Sequence, residues 1–130
     1  MISHASNKTP AAAPELRRVF YANAGFLRQT RLRRIAELAG YPLRLPWPGT
    51  RPDASDHVAV WGRSPYAARG EALAEKSGAS LLRLEDAFLR SLFPGRSGAP
   101  PLGLLIDHTG VHFDPHTPSD LETLLATHPL

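Results

Sequence analysis

Cysteine is absent from this 130-residue chain, which excludes disulfides and thiolate metal sites and points to a reducing compartment. Long apolar runs are missing too: no stretch approaches the roughly 18 residues needed to span a bilayer. The amino terminus lacks the basic-then-apolar layout of a signal peptide. No glycine pattern of the kind that cradles phosphates is present. Together these absences predict a cytoplasmic, soluble protein, at most peripheral to a membrane. What is there suits one domain with a genuine core, but not two: 42% of residues are apolar and 21% charged, a globular balance.

The net charge of +3 is unevenly spread. Up to Arg63, ten basic residues stand against four acidic ones; from Ser64 on, five stand against eight, so the two parts carry +6 and −3. A basic front half points to an anionic partner: a phosphate, a sugar acid, an anionic lipid head group or nucleic acid. The aromatic residues are not interleaved with the arginines and no nucleic-acid motif appears, so nucleic acid is not expected.

Residues 1–14 are small, polar and rich in proline and alanine, and read as a disordered leader. Arg18–Tyr21 resembles a short strand, and Phe26–Ala39 a helix closed by Gly40. On that helix Leu27, Ile35 and Leu38 can share one face, while Arg28, Arg31 and Arg34 form a strip on another, either a solvated face or an anion site. Tyr41–Leu45 is a second candidate strand, and Pro46–Asp56 a loop. His57–Trp61 reads as a strand leading to a helix, with Ser64 as N-cap and Pro65 at the first helical position, that ends at Ser77-Gly78. Strands are expected over 80–84 and 102–107, and a hairpin through Val111–Asp114. Ser119 and Glu122 form a capping box for a last helix. Strands alternating with helices predict an α/β fold, Rossmann-like, with a mainly parallel sheet and flanking helices.

The densest chemistry lies at Glu85-Asp86-Ala87-Phe88-Leu89-Arg90-Ser91. Two carboxylates sit where the strand from Ser80 would end, and the carboxyl ends of strands in an open α/β sheet are where ligands bind. A purely structural alternative has Asp86 capping a turn over 87–91 and Glu85 paired with Arg90. Asp107 is likewise an acid at a strand's end. Gly62-Arg63-Ser64-Pro65 would set backbone N–H groups, an arginine and a hydroxyl at a helix start, which suits an anion as well as an ordinary turn. His108, His112, Asp114 and His116 follow no known metal-ligand spacing, so no metal is expected. Ser91 lacks a histidine placed to activate it.

Five segments stand in order with similar gaps: Trp61-Gly62-x-Ser64-Pro65, Arg83–Ser91, Pro100–Asp107, Gly110–Asp114 and Ser119–Glu122. Over residues 16–130 the chain resembles the capsule polysaccharide β-Kdo transferases of the KpsC/LipA type, at the start of their N-terminal transferase module. The resemblance implies the acceptor-side lobe, over 15–130, of a two-lobed, GT-B-like bacterial glycosyltransferase. Such enzymes move Kdo, an acidic eight-carbon sugar, from CMP-Kdo in building the linker between a phosphatidylglycerol anchor and the capsule chain, with no separate cofactor. The resemblance implies retention through a covalent sugar intermediate on a carboxylate, with a second acid/base residue activating the acceptor. The resemblance makes Glu85 that acid/base, with Asp86 orienting it or holding the acceptor. Arg90, Ser91, Arg63, Ser64 and Asp107 would bind substrate. The basic helix would suit an anionic glycolipid at the inner face of the inner membrane.

The chain departs from the family at Ala87, where glycine is usual, and at His108, where a second acid is common. The family's later Asp-Gln…Asp-Ala-Ser and Lys-Thr-His-Pro motifs, which supply nucleophile and donor contacts, are not in it. As an isolated chain it is therefore expected to be inactive and to need the missing lobe or capsule-assembly proteins. Two other classes stand beside this reading: a stand-alone binding module for anionic lipid or glycan, and a small flavodoxin-like nucleotide-binding protein.

Overall fold

Uninterrupted apolar stretches build the centre of the sheet. Val58–Val60 and Leu82/Leu84 are almost wholly buried, as strands covered on both faces require. The computed structural model describes residues 18–87, 92–93, 97–110 and 115–128, the side chain of Leu27 excepted. The elements are β1 (Val19–Tyr21), a 3₁₀ helix (Ala24–Arg28), α1 (Thr30–Leu38), β2 (Leu43–Arg44), β3 (His57–Trp61), α2 (Ala67–Ser77), β4 (Ser80–Asp86), β5 (Leu104–Asp107) and α3 (Asp120–Thr127). The sheet order is β2-β1-β3-β4-β5. The first four strands are parallel and β5 runs antiparallel to β4. The α/β class and the mainly parallel sheet are thus as expected.

The alternation of side chains across the pleat splits the core in two. Val19, Tyr21, Ala59, Leu82 and Leu84 pack with Phe26 and Leu32 on the face that α1 covers. Phe20 and Val58 pack with Ala74 and Ala79 on the face that α2 covers. Each fully buried aliphatic side chain contributes roughly 1.5–3 kcal/mol.

Several boundaries differ from expectation. The helix foreseen over Phe26–Ala39 is a 3₁₀ segment and a shorter α-helix: the Asn23 side chain caps the former through the Gly25 N–H, and Gln29, at φ −90° and ψ 70°, separates the two. This shifts the buried face to Leu32 and Ala36 and leaves Leu38 71% exposed. The helix after β3 begins at Ala67 rather than at Pro65, and Ser64 is not its N-cap; the Ser64 carbonyl instead accepts the Ala67 N–H at 2.9 Å. The capping box of α3 is present: Glu122 N–H donates to Ser119 Oγ at 3.1 Å, and Ser119 N–H to Glu122 Oε2 at 2.8 Å. The foreseen leader over 1–14 and hairpin Val111–Asp114 lie outside the described residues.

Candidate functional site

The strand order reverses direction at β1: β2 lies on one side and β3 on the other. The loops leaving β1 and β3 therefore part in opposite directions and open a crevice above the carboxyl ends, the usual ligand position in such sheets. A cavity of about 690 Å³ occupies that crevice. Tyr21 and Asn23 border it from the end of β1, Trp61 and Ser64 from the end of β3, and Asp86 from the end of β4. Residues 98–101 close one side.

Charge in this cavity is set by Asp86 on one hand and by Arg28 and Arg31 on the other. Asp86 follows Leu82 and Leu84 on the same face of β4, so period two aims it to the α1 side. Arg28 closes the 3₁₀ helix and Arg31 stands in the first turn of α1. Thr30, the first residue of α1, also borders the space and brings the positive end of the helix dipole with it. Arg34, the third arginine of the strip, pairs with Glu37 at 3.2 Å instead. The floor is aromatic: Tyr21 and Phe26 stack with ring centroids 4.1 Å apart. Burial pushes the Tyr21 hydroxyl up to about 12, so it stays neutral at physiological pH.

Glu85 points the other way. A Cβ at Gly62 would overlap its Oε1, so its carboxylate lies directly against that glycine. Gly62 has φ +42°, which only glycine adopts easily, and its N–H donates to the Leu84 carbonyl at 2.9 Å. Arg83 clamps the same turn: Nη1 donates to the Gly62 carbonyl at 2.6 Å and Nη2 to Glu71 Oε1 at 2.8 Å. The Ser64 N–H donates to the Trp61 carbonyl at 3.1 Å. The Gly62 and Ser64 N–H groups are thus engaged by backbone carbonyls, and the helix starts later than the sequence pattern offered.

The expected site residues are thus only partly brought together. Asp86 and Ser64 line the cavity, while Glu85 and the exposed Arg63 do not. Arg90 and Ser91 lie outside the described residues, as do His112 and Asp114. Asp107 is level with Arg83 because β5 is antiparallel, so its carboxyl end reaches the opposite edge of the sheet. There it is 2% exposed and accepts N–H bonds from Thr109 and Gly110 at 2.8 Å and from Asp120 at 2.7 Å. Burial opposes its charge, but the three backbone donors outweigh burial and hold its carboxyl below the usual range. Asp107 joins β5 to α3 and is no part of the cavity.

Comparison with known proteins decides the kinship. Residues 56–129 match the family model described as capsule polysaccharide biosynthesis protein. The chain belongs to this family. It is 46% identical over 67 residues to the lipopolysaccharide-processing protein LpsZ of Rhizobium meliloti. It is 38% identical over 71 residues to the capsule polysaccharide modification protein LipA of Neisseria meningitidis serogroup A. These stretches cover 51% and 55% of this chain but only 15% and 10% of those proteins. A solved structure of Thermosulfurimonas dismutans KpsC, a beta Kdo 2,4 transferase, superposes with a TM-score of 0.69 at 31% identity, covering 82% of this chain and 32% of that one. The chain is accordingly a capsule protein of the KpsC/LipA type and spans a minor part of its relatives' length.

Tyr21, Asn23, Phe26, Trp61 and the 98–101 segment were not named as site residues from sequence, although Trp61, Pro100 and Pro101 stand in the ordered motifs. The signal for them was positional: each of the first four lies at or just beyond the end of a parallel strand flanking the point where the order reverses.

Proposed function

We propose that this chain forms the acceptor-side part of a retaining transferase that moves β-Kdo from CMP-Kdo onto a phosphatidylglycerol-linked acceptor. The observation that carries this reading is a carboxylate, Asp86, opposite two arginines in a cavity at the strand-order reversal. Arg28 and Arg31 would neutralise the carboxylate or phosphate of the acceptor. The stacked Tyr21 and Phe26 and the indole of Trp61 would carry its apolar body. Asp86 would take the proton from the acceptor hydroxyl as that oxygen bonds to the anomeric carbon and the bond from sugar to its carrying carboxylate breaks. In this reading the general base is Asp86 rather than Glu85, because a residue turned to the other face of β4 cannot reach an acceptor in the cavity. Glu85 instead supports the Gly62 turn. The nucleophile and the CMP-Kdo contacts belong to sequence outside this chain, so the chain alone is inactive. Contact with the inner face of the inner membrane would come through the lipid of the acceptor and the exposed arginines.

Binding and transfer test the two halves of the reading. A soluble Kdo-terminated glycolipid analogue should bind this chain saturably, read by Trp61 fluorescence in a Trp47→Phe background, and Arg28→Ala with Arg31→Ala should weaken it about tenfold or more. In a fusion to the donor-binding part of a relative, Asp86→Asn should lower kcat by roughly 10²–10⁴-fold, with KM little changed. Glu85→Gln should cost far less. Transfer by the isolated chain, or full activity in Asp86→Asn, overturns the assignment. Binding of phosphatidylglycerol vesicles irrespective of the sugar would favour the anionic-lipid binding module.

A further inference from the structure

A second concavity lies at the opposite edge of the sheet, on the α2 side, and the transferase reading makes no use of it. It measures about 450 Å³ and is formed by Pro46, Trp47, Pro48 and Arg51 of the β2–β3 loop with Leu73 and Lys76 of α2, within the roughly 300–1,000 Å³ usual for ligand sites. Because α2 returns antiparallel to β3, its last two turns bring Leu73 and Lys76 to the strands' amino ends, away from Asp86.

The loop is built, not slack. Thr50 N–H donates to the Trp47 carbonyl at 2.9 Å, closing a turn with Pro48 and Gly49 at its centre, and Gly49 has φ +96°. Proline followed by a positive-φ glycine is the pattern of a type II turn. Further along, Asp56 is 2% exposed, accepts the Asp53 N–H at 2.8 Å and takes two hydrogen bonds from Arg18 at 2.8 Å, which anchors the loop's far end. The turn holds Trp47 69% exposed beside the cavity. Held at a fixed place beside the cavity, this large amphipathic ring offers a flat apolar stacking surface. The side chains of Arg51 and Lys76 make no hydrogen bond or ion pair with the described residues, and no acidic side chain lines the space.

We propose that this groove is a second glycan subsite, which takes an acidic sugar unit of an oligosaccharide. The flat indole of Trp47 packs against the apolar C–H face of a pyranose ring. Arg51 and Lys76 hold the ring's carboxylate, Arg51 with its planar fork and Lys76 as a point charge. An aromatic platform with two cations and no acid selects a sugar acid over a neutral sugar by charge and over inorganic phosphate by the stacking surface. The proposal draws on the chain's membership of a capsule polysaccharide family and does not need the cavity around Asp86 to be catalytic.

The test uses this chain with an oligogalacturonate hexamer, a neutral maltohexaose and inorganic phosphate, read by Trp47 fluorescence in a Trp61→Phe background and by calorimetry. Saturable binding of the oligogalacturonate is expected, at least about tenfold tighter than of maltohexaose and weakening with salt. Trp47→Ala should abolish it, and Arg51→Gln or Lys76→Gln should each weaken it several-fold; all three side chains are exposed, so circular dichroism should be unchanged. Asp86→Asn and the paired Arg28→Ala, Arg31→Ala variant should bind the hexamer normally, which separates this site from the cavity. Equal binding of maltohexaose, binding of phosphate as tight as of the hexamer, or hexamer affinity retained in Trp47→Ala would each overturn the proposal. So would loss of hexamer binding in the cavity variants.

Discussion

At the scale of single residues, neighbouring carboxylates have opposite fates because of pleat and direction. Asp86 reaches a cavity, Glu85 lies on a glycine, and Asp107 is buried at the far edge. Asp107 permits a sharp pH prediction. Its folded-state value lies below the unfolded value of about 3.9, through the cause already described. Its contribution to stability is therefore present above that unfolded value and lost as pH falls through the lower folded one. Asp107→Asn, which keeps one acceptor oxygen for three N–H donors, should lower stability by about 1–3 kcal/mol at neutral pH. Urea unfolding at pH 7 and at pH 3 checks this: the gap between the two proteins should narrow in acid. An equal gap at both pH values would mean the carboxylate's charge contributes nothing.

At the scale of elements, α2 sits on β3 at the closest approach that glycine allows. A Cβ at Gly70 would overlap Val60 Cγ1. Alanine would add about 1 kcal/mol of helix propensity, yet overpacking against a buried strand costs about 1–3 kcal/mol. Gly70→Ala is therefore expected to destabilise, against the propensity scale. Val60→Ala removes the opposing methyl, so the double variant should lose less than the sum of the single losses. Simple additivity in chemical denaturation would show that the helix lifts off without strain. The same logic explains the sequence pattern here, where Ala67, Gly70 and Ala74 supply the buried, small-residue face of α2.

At the scale of the molecule, α3 is joined to the sheet through Asp107, which accepts the Asp120 N–H, but buries none of its residues among those described. Leu121, Leu124 and Leu125 fall at i, i+3 and i+4 and are 37%, 54% and 72% exposed. Such a stripe drives association in water. The chain should self-associate with rising concentration, and Leu124→Glu with Leu125→Glu should shift sedimentation towards the monomer without altering helix content. Concentration-independent sedimentation of the unaltered chain would refute this. No helix among the described residues is long and apolar enough to cross a membrane.

Local chemistry was legible in the sequence wherever it depends on residues close along the chain. The α/β class, the strand His57–Trp61, the end of α2 at Gly78 and the Ser119–Glu122 box all follow from periodicity, from glycine's access to positive φ and from side-chain capping at fixed spacing. The ordered motifs also carried the family. The direction of β5 was not legible, because no helix intervenes between β4 and β5 among the described residues and an apolar run looks alike in parallel and antiparallel pairing; only the pairing of β5 with β4 sends Asp107 away from Asp86. Nor was the meeting of Arg28 and Arg31 with Asp86, residues more than fifty positions apart, which exists because the strand order reverses at β1 and opens the crevice between them. Sequence determined which elements form and which chemistry is available; tertiary structure decided which carboxylate faces it, since that depends on register, direction and long-range packing.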